Sequence, residues 1–408
     1  MQFHQSRRRF LGHSLGGVFA FAMKHACDSL FAAEPTGAVK RCVVLWMGGG
    51  PSQMETFDPK PGKATGGPTT SIATNVPGIE IASNFPEIAK RMDRLSLIRN
   101  LSSPEADHDR GQYIMHTGYP LIQAFPRPTL GSIVSHESPA ADFPLFVSVG
   151  GKGLGPAYMG SDHAPFSVED PAAAVQLIAG LRRQRRSMKF LEEFSTKFDE
   201  SHLGSGLDRR RATLQRIERM MTTPFVKALD VDNSSESDRS RYGDGEFGRR
   251  CLLARRLLES GVRFVEIQHD GWDTHADNFN SVAELCGQID APWSALLDDL
   301  QSSGLWNETL VVWMGEFGRT PQINSDNGRD HFPNVTPVVL GGGAIKGGVV
   351  VGQTNETGLE IAGDKVTVPD LFATLLTGLG LDPAHEFRTE FGAIAPASDH
   401  GKVISTLL

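Results

Sequence analysis

The sequence predicts an α/β protein, a three-layer αβα sandwich around a mainly parallel central sheet. Three observations predict it. Short apolar runs bounded by glycine and proline recur along the chain, as buried parallel strands require. Amphipathic helical patterns lie between or after them, so helices should cover both faces of the sheet. Polar clusters rich in Asp, Glu and His follow the apolar runs, where an open α/β sheet places its sites.

The first such run, Arg41 to Met47, ends in Gly48-Gly49-Gly50-Pro51-Ser52 and reads as a strand entering a tight loop. Further strands are expected at Phe143–Val149, Val262–Ile267, Leu310–Met314 and Thr336–Leu340. Helices are expected at Phe247–Glu259, Val282–Leu300 and Asp370–Leu379, with Gly261 as a stop after the first. Residues 171–245 have a different texture, a polar helix-prone stretch with Arg182-Arg183-Gln184-Arg185-Arg186 and Arg209-Arg210-Arg211. They are expected to form a helical insertion or cap whose helices end at the polar loop Asn233–Ser237, with the arginines on a solvated face.

Composition narrows the function. With 408 residues and a net charge of −8, the chain is an acidic protein with a large core, and nucleic acid is excluded as a partner. The 44 Gly and 24 Pro suit a loop-rich enzyme and are too few for a disordered chain. Four widely spaced cysteines, Cys27, Cys42, Cys251 and Cys286, form no C-x-x-C pair; Cys27 is expected to leave with the N-terminal segment or carry a lipid, and the other three read as buried thiols.

Residues 1–33 read as an export signal. Ser6-Arg7-Arg8-Arg9-Phe10-Leu11 has the twin-arginine pattern, and the apolar run Phe10–Met23 is too short to span a membrane. Ala32-Ala33 offers a cleavage site. Lys24 and His25 stand where small residues belong, which argues against a lipid anchor at Cys27. The expected partner of this segment is the twin-arginine export machinery. The expected location of the mature domain, residues 34–408, is periplasmic or secreted, with no later transmembrane segment.

The chemistry is concentrated in four places. His269-Asp270-Gly271-Trp272-Asp273-Thr274-His275 follows a strand, and Asp270, Asp273 and His275 are candidate metal ligands. Met314-Gly315-Glu316-Phe317-Gly318-Arg319 follows another. Glu316 is read there as ligand or general base, and Arg319 as a clamp for a sulfate or phosphate anion. Asp330-His331 comes next, and adjacent side chains diverge, so one is expected to ligate while the other orients it. His108 and Asp109 open a helix whose N–H groups suit an anion; both are candidate ligands and catalytic groups, with proton transfer as the alternative for His108.

Gly49-Gly50-Pro51-Ser52-Gln53 with Asp58-Pro59-Lys60, Glu316–Pro321, Gly328–His331 and Gly341–Gly348 together resemble the alkaline phosphatase and sulfatase superfamily. The resemblance spans about residues 40 to 405 and is closest to an exported, sulfatase-like bacterial branch defined by a domain of unknown function. It implies an alkaline phosphatase-like fold, a divalent metal (zinc, manganese, iron or calcium) and an anionic small-molecule or polysaccharide ester as substrate. Asp273 and His275 resemble the superfamily's Asp/His ligand pair, and His331 its last His ligand. Gly48–Gly50 replaces an expected Asp-Asp or Asp-Gly motif, Gly315-Glu316-Phe317 replaces Asp-His-Gly, and His108 stands at the nucleophile's place. The resemblance therefore implies hydrolysis by metal-activated water, against the alternative of a degenerate glycan- or surface-binding protein of the same fold.

Overall fold

The computed structural model describes residues 39–170, 219–389 and 392–408, with Ala173, Val175, Gln176, Ala179 and Gly180. The export segment and both arginine runs lie outside the described residues. A nine-stranded sheet forms the centre: β1 (Arg41–Gly48), β2 (Leu95–Ser102), β3 (Phe146–Val149), β4 (Phe166–Val168), β5 (Phe264–Asp270), β6 (Thr309–Met314), β7 (Thr336–Gly342), β8 (Val350–Val351) and β9 (Val366–Thr367). Its order is β8-β2-β7-β6-β1-β5-β3-β4, with β9 also on β2. β7 runs antiparallel to both neighbours, β6 and β2, and the other pairings are parallel.

Alternation along β1 explains the layers. Val43, Leu45 and Met47 face one apolar cluster, and Cys42, Val44 and Trp46 face the other. Among the described residues the helices include, in chain order, α1 (Pro86–Ala89), α2 (His108–Thr117), α3 (Leu130–Glu137), α4 (Pro224–Ala228), α5 (Glu236–Tyr242), α6 (Glu246–Glu259), α7 (Asn278–Ser302) and α8 (Val368–Gly378). Buried residues of α1 and α4–α7 join the first cluster, and those of α2, α3 and α8 join the second. The predicted αβα sandwich is the observed architecture. Cys42, Cys251 and Cys286 are free and buried, and burial pushes each thiol well up. Among the described residues no helix is long and apolar enough to cross a membrane.

One local expectation needs correction. Ser235 begins a helix, because its hydroxyl accepts the Asp238 amide and caps α5. The polar run at 233–237 is thus a helix start, and helices continue beyond it. Strand β2 was not anticipated, because Arg99 and Asn100 interrupt its apolar run. Both side chains are absorbed by carbonyls, Arg99 by those of Phe57 and Glu80 and Asn100 by that of Asp364.

Candidate metal centre

The site lies beyond the carboxyl ends of β1, β5 and β6, where four loops meet. Helix α2 begins there because the Asp107 carboxylate caps the Arg110 amide, and it ends at Gly118, in the left-handed conformation. His108 is therefore the first helical residue. The loop after β5 carries Asp273 and His275, and it is anchored by Trp272, whose buried indole donates to His269 Nδ1. His269 in turn meets Gln288 Oε1 at 3.0 Å; burial holds its pKa down, and it is a satisfied core histidine. After β6, the short strand Gly318–Arg319 pairs antiparallel with His331–Phe332, bringing His331 opposite Arg319.

Three imidazoles surround the Asp273 carboxylate. His275 Nε2 and His331 Nε2 stand 3.1 and 3.3 Å from Oδ1 and 3.1 Å from each other. His108 Nε2 stands 3.4 Å from Oδ2. His108, Asp273 and His331 offer ligand atoms that all lie within 4.8 Å of one another.

Each ring is held from behind by an acceptor. His108 Nδ1 meets Glu316 Oε1 at 2.7 Å, His275 Nδ1 meets Asp330 Oδ1 at 2.8 Å, and His331 Nδ1 meets the Ala106 carbonyl at 2.7 Å. A carbonyl or ionised carboxylate can only accept, so each Nδ1 carries the proton. In the neutral form of each ring the Nε2 lone pair then faces inward. Lone pairs 3.1 Å apart repel unless extra protons or a cation lie among them. Metal-binding histidines have this same arrangement, with the distal ring N–H given to a carboxylate or carbonyl.

The charges follow from these contacts. The Glu316 hydrogen bond, against opposing burial, raises the His108 pKa. Burial would raise the Asp273 carboxyl, but the Arg319 hydrogen bond and charge, with His108 and His275, hold it below the usual range. Asp330 is also lowered, chiefly by its bond from His275. Asp270 is raised, first by burial and further by Glu316, while Arg250 opposes.

The sequence candidates separate by position. Asp273, His275, His331 and His108 converge. Glu316 and Asp330 sit one bond behind them, as orienting carboxylates. Glu316 is buried, and its Oε1 also accepts the Gly49 amide at 2.8 Å. Asp270 ends β5 beside Gly48, outside the converging group. Asp109 is exposed on the first turn of α2 and stands apart from the cluster.

Arg319 departs from expectation. Its side chain is wholly buried, and it donates to the carbonyls of Gly49, Gly50 and Arg329 and, at 2.5 Å, to Asp273 Oδ1. The expected anion clamp is instead an internal fork, because the Gly49-Gly50 turn brings two carbonyls against it.

Sequence reasoning also missed what the quoted motifs build. Gln53 binds the Arg319 backbone with both ends of its amide, and Glu55 forms a buried bidentate pair with Arg329. Gly328 packs directly on the His275 carbonyl and Gly49 on the Asp273 amide, so neither position admits a side chain. These contacts explain the polar and glycine-rich motifs by shape. No local sequence signal marks the Glu55–Arg329 pair, because its members lie far apart along the chain.

No curated protein matches the chain. Solved structures similar to it include an alkaline phosphatase superfamily protein from Vibrio parahaemolyticus, at 11% identity and TM-score 0.38, covering 84% of this chain and 67% of that one. A phosphonate monoester hydrolase of Agrobacterium radiobacter is similar at 10% identity and TM-score 0.39, covering 90% and 77%. A sulfatase from Pseudoalteromonas sp. is similar at 13% identity and TM-score 0.37, covering 84% and 68%. None of these distant likenesses assigns a role to a residue here. The model of a family described as protein of unknown function, DUF1501, matches residues 39–408, and the chain belongs to that family.

Proposed function

We propose that the protein is an exported metal-dependent hydrolase of sulfate or phosphate esters, acting on an anionic small molecule or polysaccharide. What carries the reading is the convergence of three imidazole Nε2 atoms on Asp273, each ring fixed from behind by an acceptor. Asp273, His275 and His331 would hold the metal, with His108 as a further donor. Glu316, Asp330 and the Ala106 carbonyl keep the rings turned inward. The donor chemistry fits zinc, manganese or iron, whereas calcium prefers an all-oxygen shell and fits least. A divalent ion there supplies Lewis acidity and makes water a competent nucleophile at neutral pH. The twin-arginine pattern at residues 6–11 supports a periplasmic or secreted location.

A second reading, a glycan- or surface-binding protein without turnover, is favoured by one observation. The guanidinium expected to grip the ester anion is buried and bonded to protein. The two readings separate in one assay series. The purified protein is offered p-nitrophenyl sulfate, p-nitrophenyl phosphate and a sulfated polysaccharide, with and without chelator. The hydrolase reading expects chelator-sensitive release, restored by zinc, manganese or iron and lost in the His275→Ala/His331→Ala variant. Polysaccharide binding without turnover and indifferent to chelator would overturn it.

A further inference from the structure

Arg319 occupies the point where the loops of the metal centre meet. Its Nε donates to the Gly50 carbonyl at 3.0 Å and its Nη1 to the Arg329 carbonyl at 3.2 Å. Its Nη2 serves both the Gly49 carbonyl and Asp273 Oδ1. One planar group thus touches the loop after β1, the loop after β5 and the residue before Asp330-His331. Its own backbone is fixed in both directions by Gln53. Opposite it in the two-stranded ribbon stands His331. A guanidinium presents its donors in a rigid fork, so these contacts fix the Asp273 carboxylate in direction as well as position. A lysine would deliver the charge without the fork.

We propose that Arg319 is a positioning residue that acts through Asp273. It pins Oδ1 so that the carboxylate faces His275 and His331 with one oxygen and His108 with the other, presenting a ready-made donor to the ion. The proposal rests on the metal reading above. It makes this buried arginine a determinant of metal affinity in addition to its packing role.

The test is a double-mutant cycle on the full mature protein, with Zn²⁺ alone as probe in competition with a chromophoric chelator. Wild type, Arg319→Lys, Asp273→Asn and the double variant are compared, and the fold of each is checked after chelator treatment. Arg319→Lys should lower Zn²⁺ affinity about 10- to 100-fold, the usual scale for partners that orient ligands. In the Asp273→Asn background, where the three imidazoles remain, the same substitution should change affinity less than about twofold. Equal losses in both backgrounds would mean a merely structural arginine and overturn the proposal. Wild-type protein that takes up neither Zn²⁺ nor, offered in its place, Mn²⁺ or Fe²⁺ overturns the metal reading, and the proposal with it. Should Arg319→Lys fail to fold, a crystal structure of wild type with Zn²⁺ decides. Asp273 bound to zinc with Nη2 still on its carboxylate is expected, and a carboxylate that swings away from Arg319 overturns the proposal.

Discussion

Helix α2 carries a histidine at each end, and the two meet carboxylates in opposite ways. His116, in the last turn, is buried with a side chain only 5% exposed, packed at a tilt against Trp46 and held at both ring nitrogens. Its Nδ1 meets the Gln112 carbonyl at 2.7 Å and its Nε2 meets Glu266 at 3.1 Å, while Gln268 satisfies the other Glu266 oxygen. His108, in the first turn, is 38% exposed, and only its Nδ1 is paired in this way; its Nε2 faces Asp273 across 3.4 Å. A histidine whose two nitrogens are both taken is part of the framework. One whose Nε2 joins other acceptors in an open cluster is equipped to bind something. Both ends matter to the site, because the buried pair ties the helix to β5, whose following loop carries Asp273.

The comparison breaks or sharpens at particular substitutions. The largest stability effect is expected from Glu266→Gln. Burial alone would lower the His116 pKa and raise that of Glu266, but their mutual charge and hydrogen bond prevail, so His116 is raised and Glu266 lowered. The carboxylate's contribution is present above its ordinary range and lost as pH falls through its lowered value. The imidazole's contribution is present below its ordinary value and lost as pH rises through its raised value. The loss in Glu266→Gln should therefore be greatest between about pH 5 and 6.5, at roughly 3 kcal/mol, and shrink at higher pH. Urea titrations across pH check this, and a loss that does not vary with pH would break the account.

Glu316→Gln comes next. It should lower metal affinity about 10- to 100-fold while costing less than about 1 kcal/mol in chelator-treated protein, since the outer partner is weakened but its shape retained. Asp330→Asn should act in the same direction but at the low end of that range, because Asp330 is exposed, and its bond to His275 is screened by solvent. Asp109→Ala, one residue from His108 but outside the cluster, should leave metal content unchanged and stability within about 0.5 kcal/mol. Elemental analysis and thermal melts read all three, and metal loss in Asp109→Ala would redraw the cluster.

Much of this was legible in the sequence. The apolar runs gave the main strands, and the residues just past them gave Asp273, His275 and His331, because a parallel sheet gathers its strand ends on one side. His108 was read as a ligand or proton carrier from its place at a helix start, and the resemblance put it at the nucleophile's place. What could not be read was burial decided across great sequence separation. The fate of Arg319 depends on the Gly49 and Gly50 carbonyls, and that of Arg329 on Glu55. Asp270 and Asp273 look equivalent in the sequence, yet only Asp273 reaches the imidazoles.

The most direct measurement is elemental analysis of the mature protein, purified without chelator or histidine tag, beside the His275→Ala/His331→Ala variant. The account predicts about one equivalent of zinc, manganese or iron in wild type and none in a variant that still folds. A folded wild-type protein that stays empty when offered each ion, or a variant with unchanged metal content, would contradict it.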